Sequence, residues 1–231
     1  MNMWSIIEHL FLPICLCCGA PARKANLCDG CAGDLPLAPP SCCAVCARPD
    51  TSGDVCGRCL VHPPPYARTV AALLYAGASI HLVHAFKFRG DLAAGAALAA
   101  LLLDAVRAEA DPDALVPVPL SRARRRGRGF DQSLELARLV ARARRIRLLT
   151  RGIERRHEGV PQSTLADWEA RWRNVRTVFH VKPGSVSGLR VAVVDDVMTS
   201  GATAQAFSRS LIAAGAAQVH LWVACRAGLG R

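Results

Sequence analysis

An α/β fold with a mostly parallel sheet, preceded by a small cysteine-rich metal module, is the architecture this 231-residue sequence predicts. Three observations carry the expectation. Ten of the 11 cysteines lie before residue 60. From residue 66 onward, apolar strand patterns alternate with helical ones. One of those strands, 191–195, runs into a second carboxylate, a loop of small residues and a helix start.

Eight of the cysteines form four C-x-x-C pairs: Cys15/Cys18, Cys28/Cys31, Cys43/Cys46 and Cys56/Cys59. A shift of 28 residues carries the first four onto the second four, and carries Pro21 onto Pro49. The unit C-x2-C-x9-C-x2-C is therefore used twice. One C-x-x-C turn brings two thiolates to a tetrahedral Zn²⁺, and a second turn closes a four-cysteine site. Repeats this short and this poor in large apolar residues need such a staple to fold. Disulfides or a redox pair explain the pattern less well, because no secretion signal is legible and a redox motif needs only one pair. Two structural zinc ions are expected. Spacing alone allows each repeat to hold its own zinc or the pairs to interleave; the consecutive arrangement is favoured. Cys17 and Cys42 fall outside the register, and His62 reads as a loop residue that could substitute as a ligand.

His62-Pro63-Pro64-Pro65 reads as a linker, dividing the chain into a zinc module over 1–62 and an α/β domain over 66–231. Strands are predicted over 69–75, 115–119, 190–195 and 218–225, and helices over 92–108, 132–145 and 203–214. His81 and His84 read as ordinary residues on a helix face, and Cys225 as a core thiol.

The segment from Val191 to Thr203 is the most informative. Ligands of open parallel sheets bind at the carboxyl ends of the strands, and the exposed N–H groups of the next helix favour a phosphate. Gly201 permits close backbone approach, and Thr199, Ser200 and Thr203 offer hydroxyl groups. Asp195 and Asp196 would repel a phosphate, so they address something neutral or cationic beside it, such as ribose hydroxyls or a metal ion. A helix cap alone accounts for Thr and Ser here, and a strand ending in two acids also occurs in nucleotide hydrolases. No P-loop accompanies it, because no lysine follows a glycine as that motif requires.

The net charge of +11 is uneven: residues 111–180 alone contribute +8. Arg122, Arg124, Arg125, Arg126 and Arg128 form one dense group, followed by seven arginines between Arg142 and Arg156. Such a block suits phosphates of a small ligand or of nucleic acid, and it also reads as a solvated helix face. Each metallated four-cysteine site carries about −2, so the zinc module is not expected to be the main nucleic-acid contact. Aromatic residues are 5% of the chain, too few for many base-stacking platforms. Trp168 and Trp172 are the exception, as stacking residues or as an apolar helix face. No apolar run reaches the length of a membrane span, and the N-terminus lacks a secretory signal. A cytoplasmic location is expected.

The run VVDDVMTSGAT resembles the phosphoribosyl-pyrophosphate signature of type I phosphoribosyltransferases. Phe86-Lys87-Phe88-Arg89-Gly90, Val116-Pro117-Val118-Pro119-Leu120-Ser121, Arg128-Gly129-Phe130-Asp131-Gln132 and Gln162 with Arg171 and Asn174 extend the likeness. With the cysteine pairs in front, the chain resembles the ComF family of competence-associated, phosphoribosyltransferase-like proteins over nearly its whole length. It departs in having Asp131 where Asn is usual and Thr199-Ser200 where Thr-Thr is usual. The resemblance implies a type I phosphoribosyltransferase-like sheet with helices on both faces. It implies that Asp195 and Asp196 hold the ribose hydroxyls, and that Thr199, Ser200, Gly201, Ala202 and Thr203 wrap the 5′-phosphate. Leu120 and Ser121 would form the pyrophosphate loop, and the stretch from about 155 to 174 a mobile catalytic loop. Mg²⁺ would arrive with phosphoribosyl pyrophosphate. Three functions are compatible with these expectations. One is phosphoribosyl transfer to a base or amine, passing through an oxocarbenium-like transition state. Another is a ligand sensor that grips single-stranded DNA through its arginines. The third is an adaptor docking a helicase-like partner of DNA uptake. No acceptor site is recognisable, and no Ser-His-Asp or Cys-His constellation is present.

Overall fold

A computed structural model describes residues 14–22, 26–49, 51–156 and 178–228. Trp168, Trp172, Gln162, Arg171 and Asn174 lie outside the described residues, as does most of the expected mobile loop. In chain order the elements are α1 (Asp29–Gly33), α2 (Gly57–Val61), β1 (Arg68–Leu74), α3 (Ala78–Arg89), α4 (Leu92–Ala105), β2 (Ala114–Pro117), α5 (Arg122–Arg128), α6 (Gln132–Arg144), β3 (Ile153–Arg155), β4 (Phe179–Val181), β5 (Arg190–Met198), α7 (Ala202–Ala213) and β6 (Gln218–Arg226).

Four strands form one sheet in the order β1-β6-β5-β2, and every neighbouring pair is parallel. A parallel sheet is covered on both faces, so its strands read as near-continuous apolar runs. The inner strands β5 and β6 do so, from Val191 to Val194 and from Leu221 to Cys225. Alternation sends successive residues to opposite faces. Ala192, Val194, Trp222 and Ala224 pack with the buried residues of α3, α4 and α6. Val191, Val193, Leu221 and Val223 pack with Phe207 and Leu211 of α7.

The helices form where the sequence caps and faces them. Asp91 accepts the N–H groups of Ala93 and Ala94 to start α4. That helix approaches α3 so closely that a Cβ on Gly95 would sit 2.5 Å from the Phe86 ring, which leaves room for glycine only. Asp131 accepts the Leu134 N–H to start α6, which buries Leu136, Ala137, Val140 and Ala141.

The structure departs from the sequence expectations at several places. β5 does not stop at Asp195. Its ladder with β6 continues to Met198, opposite Arg226, so both acids lie within the strand. Two short strands, β3 and β4, pair antiparallel outside the main sheet. Leu148 bridges Leu115 in parallel, and Ser121 bridges Arg155; the chain after α6 thus lines the β2 edge. The cysteine-rich segment is tied to the opposite edge. Leu37 bridges Leu73, and the Thr69 hydroxyl donates to the Val45 carbonyl at 2.6 Å. Among the described residues, no helix is long and apolar enough to cross a membrane.

Candidate ligand-binding site and metal centres

The eight paired cysteines come together as two groups, Cys15/Cys18/Cys28/Cys31 and Cys43/Cys46/Cys56/Cys59, with the ligand atoms of each group within 4.8 Å of one another. The consecutive pairing is therefore the observed one. Zn–S bonds of about 2.3 Å in a tetrahedron place sulfurs about 3.8 Å apart. Cys18 and Cys28 Sγ lie 3.6 Å apart, and Cys46 and Cys56 Sγ 3.7 Å. Main-chain N–H groups also point at the sulfurs, from Cys31 to Cys28 and from Cys56 to Cys43, as thiolates require. Both sets fit a structural zinc ion, which would supply cross-linking and no chemistry.

The repeat extends to the backbone. Gly19 N–H donates to Cys15 O and Ala47 N–H to Cys43 O. Gly19 and Ala47 are both left-handed, with φ of +75° and +52°. Cys17 and Cys42 belong to neither group. His62 is exposed at the end of α2 and also stands outside both.

At the carboxyl end of β5 the two acids meet α3 and α6. Lys87 Nζ from α3 lies 2.9 Å from Asp196 Oδ2, while Oδ1 of the same carboxylate accepts the Val197 N–H at 2.7 Å. Asp196 is buried, at 5% exposure. Asp195 Oδ1 accepts the Ser133 hydroxyl at 2.8 Å and the Asp196 N–H at 3.0 Å. Both of these hydrogen bonds go to Oδ1 of Asp195. Burial, and then the neighbouring Asp196, push the Asp195 carboxyl above its ordinary range, against the pull of Ser133 and Lys87.

Beyond Met198 the chain turns through Thr199, Ser200 and Gly201 into α7. Thr199, Ser200 and Thr203 are exposed and Gly201 is buried. Gly201 is left-handed at φ +79°, and a Cβ there would meet Met198 Cε at 2.9 Å. Gly201 at the N-cap offers this 12-residue helix no side-chain acceptor. The Ser200 hydroxyl accepts the Ala202 N–H at 3.4 Å.

The turn after β2 is more committed. Leu120 N–H donates to Asp131 Oδ2 at 3.4 Å. Ser121 is buried and accepts the Arg124 N–H, capping α5. Asp131 also faces Arg125 at 3.5 Å, so the acid that replaces the usual Asn is met by a cation of the arginine group. Burial raises the Asp131 carboxyl, while its hydrogen bonds and Arg125 pull the other way.

The arginine block divides by role. Arg124, Arg125 and Arg126 are exposed on α5. Arg122 and Arg128 bound that helix. Arg144 is structural, holding Asp111 and the Val106 and Glu109 carbonyls. His81 and His84 are exposed on α3, and Cys225 is buried. Sequence reasoning gave no role to Ser133 or Arg226. Lys87 stands in the sequence only within the Phe86–Gly90 motif. A lone lysine between two phenylalanines on a helix, and an arginine ending an apolar strand, were the available signals.

Arg226 is 2% exposed. Its Nε donates to the Cys46 carbonyl at 2.8 Å, and its Nη1 to Met198 O at 3.1 Å, Thr199 O at 2.6 Å and Ala227 O.

Comparison with known proteins gives a consistent picture. The profile of the double zinc ribbon domain family matches residues 6–60. The DNA utilization protein YhgH of Escherichia coli K12 is 34% identical over 191 residues, covering 80% of this chain and 83% of the relative. Competence protein F of Haemophilus influenzae is 30% identical over 88% of this chain and 92% of its own length. Competence protein ComFC of Bacillus subtilis is 27% identical over 83% of this chain and 80% of its own length. Among solved structures, a B. subtilis glutamine phosphoribosylpyrophosphate amidotransferase aligns with a TM-score of 0.41 at 24% identity, over 55% of this chain and 25% of that one. That overlap is too partial to carry an argument about the site. The relatives are 30% and 34% identical over most of both chains, and on that ground the chain belongs to the ComF family of competence and DNA utilization proteins.

Proposed function

We propose that the carboxyl end of β5 binds phosphoribosyl pyrophosphate or a related 5′-phosphoribosyl ligand, in a protein that serves DNA uptake or use. One observation carries the reading. Asp195 and Asp196 lie near the end of an inner parallel strand, and the chain beyond Met198 turns through a left-handed Gly201 into a helix that receives no side-chain cap from that residue. The amides and hydroxyls of Thr199 to Thr203 would take the 5′-phosphate. Asp195 Oδ2 would accept a ribose hydroxyl, with Ser133 fixing the orientation of its carboxylate. Lys87 pairs with Asp196 at 2.9 Å and so sets a cation beside the second acid. Leu120 and Ser121 would border the pyrophosphate, with Mg²⁺ entering on the ligand's own oxygens.

If transfer occurs, the protein's contribution is positioning and charge stabilisation of an oxocarbenium-like transition state. Residues 66–231 would form the ligand-binding unit and residues 1–62 its zinc-stapled partner. The relatives' names supply the setting of competence and DNA utilization.

A second reading has its own observation. Arg124, Arg125 and Arg126 are exposed on α5, which follows β2, and a cavity of about 690 Å³ formed by the segment along the β2 edge is lined by Arg147, Arg151 and Lys182 and by no acid. That edge suits the phosphates of single-stranded DNA.

Calorimetry with phosphoribosyl pyrophosphate and Mg²⁺ tests the first reading, followed by a pyrophosphate-release screen across bases. Asp195→Asn should abolish the binding heat while the thermal transition persists. Unchanged binding in that variant would overturn the assignment.

A further inference from the structure

The two metal centres are placed differently with respect to the phosphate loop. The first group packs with Leu73, Leu82 and Phe86 on one side of the sheet. The second packs on the other side with Met198 and Tyr66. A narrow cleft lined by Cys46, Cys56 and Cys59 is also lined by Met198, Ser200 and Gln205, so metal ligands and loop share one wall.

Two arginines cross that boundary. Arg58, in α2 between two cysteines of the second group, donates from Nη1 to the Ser200 carbonyl at 3.5 Å. Arg226 joins the Cys46 carbonyl to the carbonyls of Met198 and Thr199, across 180 residues of sequence on the cysteine side. All of these acceptors are main-chain carbonyls, and no carboxylate pairs with Arg226 among the described residues. A buried cation needs a counter-charge. The second zinc centre, at about −2 with its four thiolates, supplies one, and a bound phosphate would supply another on the opposite side.

The orientation of the Cys46 carbonyl depends on the metal turn. Cys46 is a ligand, and the next residue, Ala47, is held left-handed with its N–H on Cys43 O. Zinc loss would remove the cross-link between Cys43 and Cys46 and free that turn. Arg226 then loses the acceptor that fixes its fork, and with it the hold on Thr199.

We propose that Arg226 is a positioning residue that couples the second zinc centre to the phosphate loop. The loop keeps its ligand-ready shape only while Cys43, Cys46, Cys56 and Cys59 hold their metal, and the first centre has no such effect. The ligand-binding half of this proposal rests on the phosphoribosyl reading above; the coupling itself does not.

The test uses the full chain and two readouts: hydrogen exchange of the Thr199–Thr203 amides, and calorimetry with phosphoribosyl pyrophosphate and Mg²⁺. Zinc content is followed by native mass spectrometry. In Cys18→Ser/Cys31→Ser, which keeps only the second zinc, loop exchange and affinity should stay within about twofold of the parent. Chelating the remaining zinc should speed loop exchange at least about tenfold, and zinc add-back should reverse it. Arg226→Lys should keep both zinc ions yet show faster loop exchange and at least about tenfold weaker binding. If the cysteine variant does not fold, stepwise chelation and add-back on the parent protein gives the same comparison. Loop exchange indifferent to the second zinc, or Arg226→Lys matching the parent, overturns the coupling. If the parent binds no phosphoribosyl pyrophosphate, the ligand reading fails and the exchange data still decide the coupling.

Discussion

Lys87→Met isolates the electrostatics of the acidic pair, because methionine keeps most of the length of the side chain and removes its charge. At 2.9 Å, an ion pair in an effective dielectric of about 20 has a gross attraction of about 6 kcal/mol. Desolvation of both ions offsets most of it. Removing one partner of a buried pair leaves the other uncompensated and costs about 3–5 kcal/mol. The Lys87 side chain is 21% exposed and that of Asp196 8%, which places the loss near the lower end, about 3 kcal/mol. For a chain of this length that lowers the melting temperature by about 6–12 °C. The pH dependence carries the diagnosis. The Asp195 carboxyl is already raised in the folded state, by burial first and Asp196 second, and Lys87 opposes the rise. In the unfolded chain an Asp titrates near about 3.9. A raised folded value means that stability is fully present below that unfolded value and is lost as pH rises through the folded one. Removing Lys87 raises the folded value further, so the deficit should be largest at pH 8 and should shrink towards pH 5. Differential scanning fluorimetry or calorimetry of both proteins across pH 5–8 measures it. A deficit that is constant across that range, or a variant as stable as the parent at pH 8, would refute Lys87 as the neutralising partner.

Three further outcomes follow from the same geometry. Ala47→Gly should stabilise the protein by about 0.5–1 kcal/mol in chemical denaturation, since Ala47 adopts the left-handed conformation that its repeat mate Gly19 reaches freely. Purified protein should carry two zinc ions per chain, and Cys28→Ser with Cys31→Ser should lower the count to one by mass spectrometry; a metal-free folded N-terminus would refute both centres. If single-stranded DNA binds at the β2 edge, changing Arg124, Arg125 and Arg126 to Ala should flatten the slope of log affinity against log salt by up to about 2, at about 0.7 per phosphate contact. An unchanged slope would leave these arginines as a solvated face.

What the sequence revealed depended on how local the physics was. The cysteine repeat was legible because metal geometry demands fixed short spacings, and the same 28-residue shift reappears in the Cys15–Gly19 and Cys43–Ala47 hydrogen bonds. The inner strands were legible because burial on both faces leaves an unbroken apolar run. The end of β5 was not. Carboxylates are depleted in strands, yet the ladder to β6 carries Asp195 and Asp196 inside the strand. β3 and β4 have three residues each, too few for any periodicity to register. Lys87, Ser133 and Arg226 reach the site only through tertiary packing. Nothing near Lys87 in sequence announces Asp196, and nothing near Arg226 announces Cys46.

The placement of charge gives these parts a common logic. The cysteine-rich segment lies against β1, one edge of the sheet, and its two cysteine groups, once loaded with zinc, would add about −4 there. The cavity lined by Arg147 and Arg151 lies by the segment along β2, the other edge, and the exposed arginines of α5 follow that strand in the chain. The proposed phosphate loop follows β5, between those edges. A polyanion approaching such a molecule is drawn to the β2 edge and repelled from the β1 edge, with the repulsion extending about 8 Å at physiological salt. A small phosphorylated ligand at the loop feels both fields, and the acidic one is nearer than the sequence implied, because the second zinc group shares a wall with Ser200. Arg58 and Arg226 occupy that wall. Their charge would let a metal centre of about −2 and the proposed phosphate site lie side by side, a physical reason for Arg226 to be buried among carbonyls with no carboxylate beside it among the described residues.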